Sequence, residues 1–470
     1  MSRILAGLVR VTSERRLLST VLHGIVKLID YILRAIRYVI VGVLNLVLSI
    51  LKFPILLVDH CLAYIARAAI SKHTPVERKV LFLTYQGDYT CNPKYIAEEM
   101  IRQGLDKDTA LVWDVRTDIA NCDYPLKLRF VKHQTYEFYK ELASAKVIIE
   151  NTNIVERLGA YKKKDQVLLQ TWHGSLGIKR LDGDVVMGIK WKRLARICQK
   201  NVNYLLSNSD FEDDVFKSAY WKDTPILRTG HARNDVFFET DETKLAHMKH
   251  KVYQELEIPE NRRIFLYAPT HRDDEGESFR PFNYGAVKAA LEERFGGEWQ
   301  IVLRFHSRLR KASRKWIRTL PEYVTDATMY GDMQELLTCT ECGVTDYSSW
   351  IFDYVLGRKP GFIVEVGFDK FKESRGFYYP IETTPFPIAK DFGELCKRIR
   401  EFDEDKYQQD IDTFLAARGC TEDGHASEHI VAKIKEFLDE VPASAHAADS
   451  RFSDMDDDDE YDMDMDMDEQ

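Results

Sequence analysis

Two successive series of short apolar strands, separated by helices, constrain the fold of this 470-residue chain most strongly. The first series is VLFLTY (80–85), TALVWDV (109–115), AKVIIEN (145–151), QVLLQTW (166–172) and NYLLSNS (203–209). The second is RIFLYAP (263–269), WQIVLRF (299–305), YVTDA (323–327), ECGVTDY (341–347) and PGFIVEV (360–366). Near-continuous apolar strands that alternate with helices are typical of parallel sheets covered on both faces. The sequence therefore predicts an α/β fold with two facing, doubly wound, Rossmann-like domains.

A charge-rich stretch, residues 239–262, separates the two series and indicates a domain boundary between residues 241 and 257. We expect four segments: membrane-associating helices over 1–75, an N-terminal Rossmann-like domain over 76–240, a C-terminal one over 241–440 and an acidic tail over 441–470. Ligands of doubly wound sheets bind at the carboxyl ends of the strands. The expected site is therefore a cleft between the two domains.

The net charge of −9 is distributed unevenly along the chain. Residues 1–72 carry ten Lys/Arg and three Asp/Glu, whereas residues 449–470 carry twelve Asp/Glu and one Arg. The middle of the chain has no basic run, which argues against nucleic-acid binding. The acidic tail lacks the apolar residues of a core, and we expect it to be disordered.

The first 60 residues have the pattern of a membrane-associated segment. Apolar residues recur at helical spacing over 18–36 with Arg and Lys between them, and residues 38–58 contain one charge, Lys52. Lys52, Pro54 and the basic flanks disfavour a span, because a single crossing would leave one Arg-rich flank outside. We expect helices that lie in the cytoplasmic face of the membrane against anionic lipids, with a single span as the alternative.

The eight cysteines include one close pair, Cys339 and Cys342, without a second pair or a histidine cluster. This pattern favours reduced thiols in a cytosolic compartment over a zinc or redox site. The chain also lacks a Walker A loop, a strand-linked GxGxxG and a carboxylate-rich metal motif. We expect neither a metal nor a cofactor.

Polar clusters follow five of the predicted strands, and the cluster after 341–347 is the most informative. Ser348 and Ser349 precede a predicted helix, Trp350–Leu356, closed by Gly357. Serine hydroxyls and free N–H groups at a helix start form an anion site, and with Asp346 they predict phosphate or diphosphate binding. The cations available to neutralise such a group are Arg304, Arg272, Arg375, Lys179 and Arg180.

His173 follows the strand 166–172 and precedes Gly174. A histidine in this position is either a packed residue bonded to backbone or the base of an active site. The residues immediately around it leave both interpretations open.

Taken together, the polar clusters resemble the CDP-glycerol glycerophosphotransferases, which build teichoic acid and related polyol-phosphate polymers. The resemblance extends from about residue 80 to about residue 395. The motifs that carry it are Gly87 with Asn92-Pro93-Lys94, Glu150-Asn151-Thr152-Asn153, Gln170-Thr171-Trp172-His173-Gly174-Ser175, Gly230–Asp235, Tyr267-Ala268-Pro269-Thr270, Thr345-Asp346-Tyr347-Ser348-Ser349 with Asp353-Tyr354, and Arg375-Gly376-Phe377-Tyr378.

The resemblance implies the GT-B arrangement, with catalysis at the cytoplasmic face of the membrane. CDP-glycerol is then the donor, and a terminal hydroxyl of a lipid-linked acceptor attacks its glycerol-bearing phosphate and releases CMP. His173 corresponds to the family's proposed base, and His306 to a second essential histidine at the donor phosphates. The expected donor-binding residues are Arg304, Thr345, Ser348, Ser349, Asp346, Arg272, Arg375 and Thr270. The expected acceptor-side residues are Asn151, Lys179, Arg180, Arg233 and Asp235.

Imidazole and arginine fit this chemistry, because phosphoryl transfer to an alcohol needs a base active near neutral pH and cations for the developing charge. Ala232 and His271 replace the proline and the aromatic residue usual in the family, which leaves the choice of polyol open. The alternatives are a transferase that uses CDP-ribitol or a nucleotide-sugar and, from another class, a non-catalytic membrane-tethered nucleotide-binding module. Homo-oligomerisation is also left open.

Overall fold

The computed structural model describes residues 31, 34, 37–42, 45, 61–116, 125, 127–157, 162–185, 189–270, 282–305, 320–365 and 376–440. The chain divides into two compact units, residues 1–73 and 74–470. The described residues of the first unit are helical. None of the helices within the described residues combines the length and the apolar composition of a transmembrane span. Most of the predicted apolar run 38–58, and all of the predicted tail 441–470, lie outside the described residues.

The second unit contains two parallel sheets. Strands of the first sheet are β1 (Glu77–Leu83), β2 (Ala110–Val115), β3 (Arg129–Lys132), β4 (Ala145–Glu150), β5 (Val167–Gln170), β6 (Tyr204–Leu206) and β7 (Ile226–Leu227). Strands of the second are β8 (Arg262–Tyr267), β9 (Glu298–Leu303), β10 (Val324–Asp326), β11 (Thr340–Thr345), β12 (Gly361–Val364) and β13 (Ile388–Ala389). All six residues of β4 are buried, as expected for a central strand covered on both faces.

Helices cover both sheets, and several begin at a side chain that caps the first turn. Thr135, Ser209 and Asp241 each accept a hydrogen bond from a backbone N–H two or three residues later. The helices among the described residues are α1 (Cys91–Arg102), α2 (Tyr136–Ser144), α3 (Ile154–Arg157), α4 (Ile189–Asn201), α5 (Asp210–Ala219), α6 (Glu242–Glu255), α7 (Tyr284–Phe295), α8 (Met333–Cys339), α9 (Trp350–Tyr354), α10 (Phe392–Arg400), α11 (Glu404–Ala417) and α12 (Ala426–Asp439).

The strand order places the ligand-binding edge of each sheet. The first sheet runs β3-β2-β1-β4-β5-β6-β7 and the second runs β10-β9-β8-β11-β12-β13, with every pairing parallel. The order reverses between β1 and β4 and again between β8 and β11, and ligands of such sheets bind outside the strand ends at these points. The predicted fold of two parallel-sheet α/β domains is therefore confirmed.

The C-terminal helix α12 returns to the first sheet. Ile430, Val431 and Ile434 are fully buried in one apolar cluster with Val80 and Phe82 of β1. The predicted division assigned residues 241–440 to the second domain. The structure places the end of this range against the first domain instead, because the apolar face of α12 completes the cover of that sheet.

Buried ion pairs of two basic residues, Arg233 and Lys94, join the domains. Arg233 follows β7, is 1% exposed, and donates from Nε and Nη2 to the two carboxylate oxygens of Asp353 in α9, at 3.0 and 3.1 Å. Lys94 of α1 places Nζ 2.6 Å from carboxylate oxygens of both Asp332 and Glu335, at the start of α8. A buried charge without its partner is costly, so an arrangement of the domains that separated these pairs would be destabilised.

We predict that Arg233→Ala lowers the free energy of unfolding by about 3–5 kcal/mol, because it leaves the Asp353 carboxylate buried without its cation. Urea denaturation measures this loss. Arg398→Ala is the matched control, since Arg398 forms an exposed pair with Glu394 on α10 and its removal should change stability little. Equal, small effects of both substitutions would contradict a structural role for the buried pair.

Glu422, between α11 and α12, ties the C-terminal segment to the ends of β6 and β7. Its Oε1 accepts hydrogen bonds from the side-chain amides of Asn208 and Asn234, at 2.9 and 2.8 Å, and from the backbone N–H of His231 at 3.2 Å. Gly230 has φ +81°, and a Cβ there would lie 2.6 Å from Glu422 Oε2, so this approach requires glycine. Desolvation raises the pKa of Glu422 to about 7, against the opposing effect of His231 and the two amides.

We predict that this carboxyl makes stability fall as pH rises from about 4.5 to about 7. Over that range folded Glu422 keeps a proton that the unfolded chain has released, so the folded state binds more protons. Glu422→Gln retains an oxygen for all three donors and removes the titration. Urea unfolding at intervals across this range should show a weaker pH dependence in the variant, and parallel curves would contradict the assignment.

Candidate active site

His173 lies in the loop after β5 at the carboxyl edge of the first sheet. Its Nδ1 is 2.6 Å from the backbone carbonyl oxygen of Asn151, which follows the neighbouring strand β4. A carbonyl only accepts, so Nδ1 carries the proton of the neutral ring and Nε2 is its basic nitrogen. The side chain is exposed. This geometry suits a general base.

The residue before it, Trp172, anchors the loop in the first domain. Trp172 is 7% exposed and packs among Phe216, Tyr220 and Trp221. Its ring centroid lies 4.5 Å from that of His173. The His173 ring is thus supported on one side by a packed aromatic residue.

Beyond His173 the loop crosses to the second domain. Leu176 and Ile178 are buried in the core of that domain, and backbone hydrogen bonds join Ile178 to Tyr378 and Arg180 to Gly376. A Cβ on Gly177 would lie 3.3 Å from the Cβ of Ser349. One continuous segment therefore brings the His173 loop against the start of α9.

A pocket of about 220 Å³ opens between these elements. Its lining includes four residues that the sequence predicts for the site: His173, Lys179, Arg180 and Ser349. The wall also contains aromatic residues, among them Phe211, Tyr220 and Tyr378. The pocket thus combines a histidine, two cationic residues and a serine from the opposite domain.

At the switch point of the second sheet, polar contacts join the ends of β8 and β11. The backbone N–H of Thr270 donates to Asp346 Oδ1 at 2.7 Å, and Thr345 Oγ1 donates to the carbonyl of Ala268 at 2.7 Å. The hydroxyl of Thr270 is buried and has no hydrogen-bond partner among the described residues. Thr345 and Asp346 thus hold the ends of the two strands together. The Thr270 hydroxyl can still form a hydrogen bond to a ligand.

Ser348 and Ser349 follow at the start of α9, but neither caps the helix through its side chain. Ser349 occupies the capping position without a side-chain cap hydrogen bond. The α-helix is also shorter than predicted, Trp350–Tyr354, and continues as a 3-10 turn over Val355–Gly357. Arg358, rather than Gly357, adopts the left-handed conformation after it, with φ +56°.

Arg304 follows β9, next to the switch point. Its Nη1 is buried and has no hydrogen-bond partner within the described part of the chain. Burial lowers the pKa of the guanidinium, while Asp332, Tyr330 and Asp88 act in the opposite direction. An arginine with an unsatisfied N–H near strand ends is a ready partner for a phosphate oxygen.

Three predicted acceptor-side residues are placed differently from the expectation. Arg233 is buried in its pair with Asp353, and Asp235 accepts hydrogen bonds from the N–H groups of Ala426 and Ser427 at the start of α12. Asn151 serves His173 through its backbone carbonyl, and its side chain accepts from the N–H of Tyr85. These contacts are internal to the fold and do not support acceptor binding by the three side chains.

His306, Arg272 and Arg375 lie outside the described residues. Within the described ranges, no group of three or more His, Cys, Asp or Glu residues is arranged to hold a metal ion.

The structure adds a buried polar network behind His173 to which sequence reasoning assigned no role. His231 is fully buried, with Nε2 2.9 Å from Glu212 Oε2 and Nδ1 3.4 Å from Asn92 Nδ2. Glu212 also lines the pocket. Asn92 and His231 belong to two of the motifs that carry the family resemblance, so the sequence marks both as candidates. The contact between them depends on tertiary structure.

Comparison with known proteins identifies the family of the chain. Residues 66–436 match the family described as CDP-Glycerol:Poly(glycerophosphate) glycerophosphotransferase. The chain is 30% identical over 371 residues to a teichoic acid poly(glycerol phosphate) polymerase of Staphylococcus epidermidis, covering 75% of this chain and 50% of that protein. It is 27% identical over 399 residues to a teichoic acid glycerol-phosphate transferase of Staphylococcus aureus, covering 80% of this chain and 97% of that protein.

Among solved structures, a histidine variant of the wall teichoic acid polymerase TagF, soaked with CDPG, has a TM-score of 0.67 and 28% identity, covering 79% of this chain and 93% of that one. The chain spans half the length of the S. epidermidis polymerase. With a match that extends over both sheets and the pocket between them, the chain belongs to the CDP-glycerol:poly(glycerophosphate) glycerophosphotransferase family.

Proposed function

We propose that this chain transfers glycerol phosphate from CDP-glycerol to the terminal hydroxyl of a lipid-linked acceptor and releases CMP. The observation that carries the proposal is the His173 ring, oriented by the Asn151 carbonyl in a pocket that Ser349 of the donor-side domain also lines. Family membership supports CDP-glycerol as the donor. The TagF structure soaked with CDPG supports the same class of ligand.

In the proposed reaction Nε2 of His173 takes the proton of the acceptor hydroxyl. The hydroxyl oxygen forms a bond to the glycerol-bearing phosphorus, and the bond from that phosphorus to the bridging oxygen breaks. The electron pair leaves with CMP, whose phosphate gains negative charge. Positioned cations and N–H or O–H donors stabilise that charge, which is the largest contribution in many group-transfer sites.

Arg304, Thr270, Ser348 and Ser349 are our candidates to hold the donor diphosphate. All four lie after strands β8, β9 or β11, at or beside the switch point of the second sheet. Within the described residues, Arg304 Nη1 and the Thr270 hydroxyl have no hydrogen-bond partner, and this supports the assignment because buried polar groups normally have partners. We retain Arg272, Arg375 and His306 as predicted members of the same set.

The acceptor side is proposed to be the part of the pocket with Lys179 and Arg180, where a cationic edge meets aromatic walls. An acceptor that ends in a polyol phosphate carries the negative charge that these residues would attract. For the N-terminal segment we propose attachment at the cytoplasmic membrane face. Its basic and apolar pattern supports this, since a lipid-linked acceptor reaches the pocket from the membrane.

We predict that His173→Ala remains folded, still binds CDP-glycerol and loses most transfer. A positioned base typically contributes about 10²–10⁴-fold to the rate. Product formation from CDP-glycerol and a lipid-linked glycerol-phosphate primer measures the loss, with CDP-ribitol and UDP-sugars as parallel donors. The wild-type rate should also fall on the acid side as the imidazole becomes protonated.

His250→Ala is the control for this experiment, because His250 lies exposed on α6, where it pairs with Glu260. A folded His173→Ala protein with turnover close to that of the control would remove His173 from the chemistry. Turnover with CDP-ribitol or a UDP-sugar, but not with CDP-glycerol, would reassign the donor. Absence of CMP release with every donor would favour the non-catalytic alternative.

We predict that Arg304→Ala, Ser348→Ala and Ser349→Ala each weaken CDP-glycerol binding. A hydrogen bond to a charged group contributes roughly 1.5–3 kcal/mol, which corresponds to about a 10- to 150-fold rise in Kd. Calorimetric titration with CDP-glycerol measures the change, and Arg400→Ala, an exposed arginine on α10, is the control. Unchanged affinity in all three folded variants would place the diphosphate elsewhere.

A further inference from the structure

The backbone immediately before His173 adopts a conformation that its own residue disfavours. Trp172 has φ +54°, in the left-handed region that side chains with a Cβ rarely occupy. Such a conformation persists only where surrounding contacts hold it. The contacts around Trp172 therefore bear on where the His173 ring points.

One contact comes from the side chain of Gln170, the last residue of β5. Gln170 is fully buried, and its Oε1 accepts from the backbone N–H of Trp172 at 2.9 Å. Its Nε2 donates to Glu150 Oε1 at 3.0 Å. The other oxygen of Glu150 accepts from the N–H groups of Ile154 and Val155, so the start of α3 fixes the carboxylate in turn.

A second contact comes from Asn92 of α1, at the carbonyl of the same residue. Asn92 is fully buried, and its Nδ2 donates to the carbonyls of Thr171 and Trp172, at 2.9 and 3.2 Å. Its Oδ1 accepts from the backbone N–H of Arg233 at 3.1 Å. The N–H of Trp172 and the carbonyl that joins it to His173 are thus each bound by a different buried amide.

We propose that Gln170 and Asn92 are positioning residues for His173. By holding Trp172 in the left-handed conformation, they direct Nδ1 of His173 onto the Asn151 carbonyl and present Nε2 to the pocket. The proposal rests on the proposed function for its catalytic consequence. Its structural consequence, an Nδ1–H bonded to the Asn151 carbonyl with Nε2 toward the pocket, can be tested with or without a substrate.

The chain supplies a matched control at the other end of the same strand. Gln166, just before β5, is 1% exposed, and its Nε2 donates to the carbonyls of Leu142 and Ala145 at 2.7 and 2.6 Å. It resembles Gln170 in residue type, burial and backbone bonding. It lies at the amino end of β5, away from the cleft edge where ligands bind. Gln166→Met therefore measures how far the loss of a buried side-chain amide, away from the cleft edge, changes the activity.

The first test compares Gln170→Met and Asn92→Leu with Gln166→Met in steady-state transfer from CDP-glycerol. Small displacements of a catalytic group reduce rates by up to about 10²-fold. We expect kcat to fall about 10- to 100-fold in the first two variants, with KM for the donor changed less than about threefold. Gln166→Met should keep kcat within about twofold of wild type. Equal kcat in all three folded variants would overturn the proposal.

The second test needs no substrate. Nitrogen-15 NMR of histidine-labelled protein, with His173→Ala to assign the signal, reports which ring nitrogen carries the proton. We expect the Nδ1–H tautomer in wild type and in Gln166→Met, and a mixture of tautomers in Gln170→Met and Asn92→Leu. An unchanged Nδ1–H tautomer in both would contradict positioning even if activity fell.

The two tests separate the two proposals. If wild type transfers nothing from CDP-glycerol while the tautomers change as expected, the proposed function fails and the positioning stands. If Gln170→Met does not fold, Asn92→Leu carries both measurements. Failure of both to fold while Gln166→Met folds would assign the two amides to stability and would overturn the proposal.

Discussion

The buried pair between Arg233 and Asp353 links the two domains whose edges form the candidate site. The strand order of each sheet determines which of its edges binds ligands. A pocket shared by both sheets also requires that these two edges face each other in one orientation. A bidentate arginine–carboxylate pair that is almost fully buried is directional and costly to separate. Arg233 also donates its backbone N–H to Asn92. The domain joint and the support of the His173 loop are therefore one connected structure.

Most of the fold was predictable because the central strands of parallel sheets are continuous apolar runs. All ten predicted strands are present, within a few residues of their expected limits. The strands that the sequence did not reveal, β3, β7 and β13, lie at sheet edges, and β7 and β13 have two residues each. An edge strand buries one side and pairs with one neighbour, so it needs no apolar run. The placement of α12 was missed for a related reason, since amphipathicity does not identify the sheet that a helix covers.

The site was predictable as far as topology sets it. His173, Ser349 and Thr270 follow strands, and the parallel order brings strand ends to one edge. The roles of Arg233 and Asp235 were not predictable, because their burial depends on Asp353 and α12, which are distant in sequence. The left-handed backbone at Trp172 has no local signal either, since tryptophan does not favour that conformation. Gln170, two residues earlier, and Asn92, distant in sequence, both bond the Trp172 backbone, and the second contact is visible only in the folded chain.

His231 and His173 have different hydrogen-bond partners, and this difference bears on the proposed chemistry. His231 is fully buried and contacts a side-chain carboxylate, that of Glu212, through Nε2. His173 is exposed and is oriented by a backbone carbonyl, which fixes the tautomer without adding a full negative charge. A general base benefits from the second arrangement, because a carboxylate bonded to the ring would favour its protonated form. The backbone of Asn151 therefore serves His173 better than an acidic side chain would.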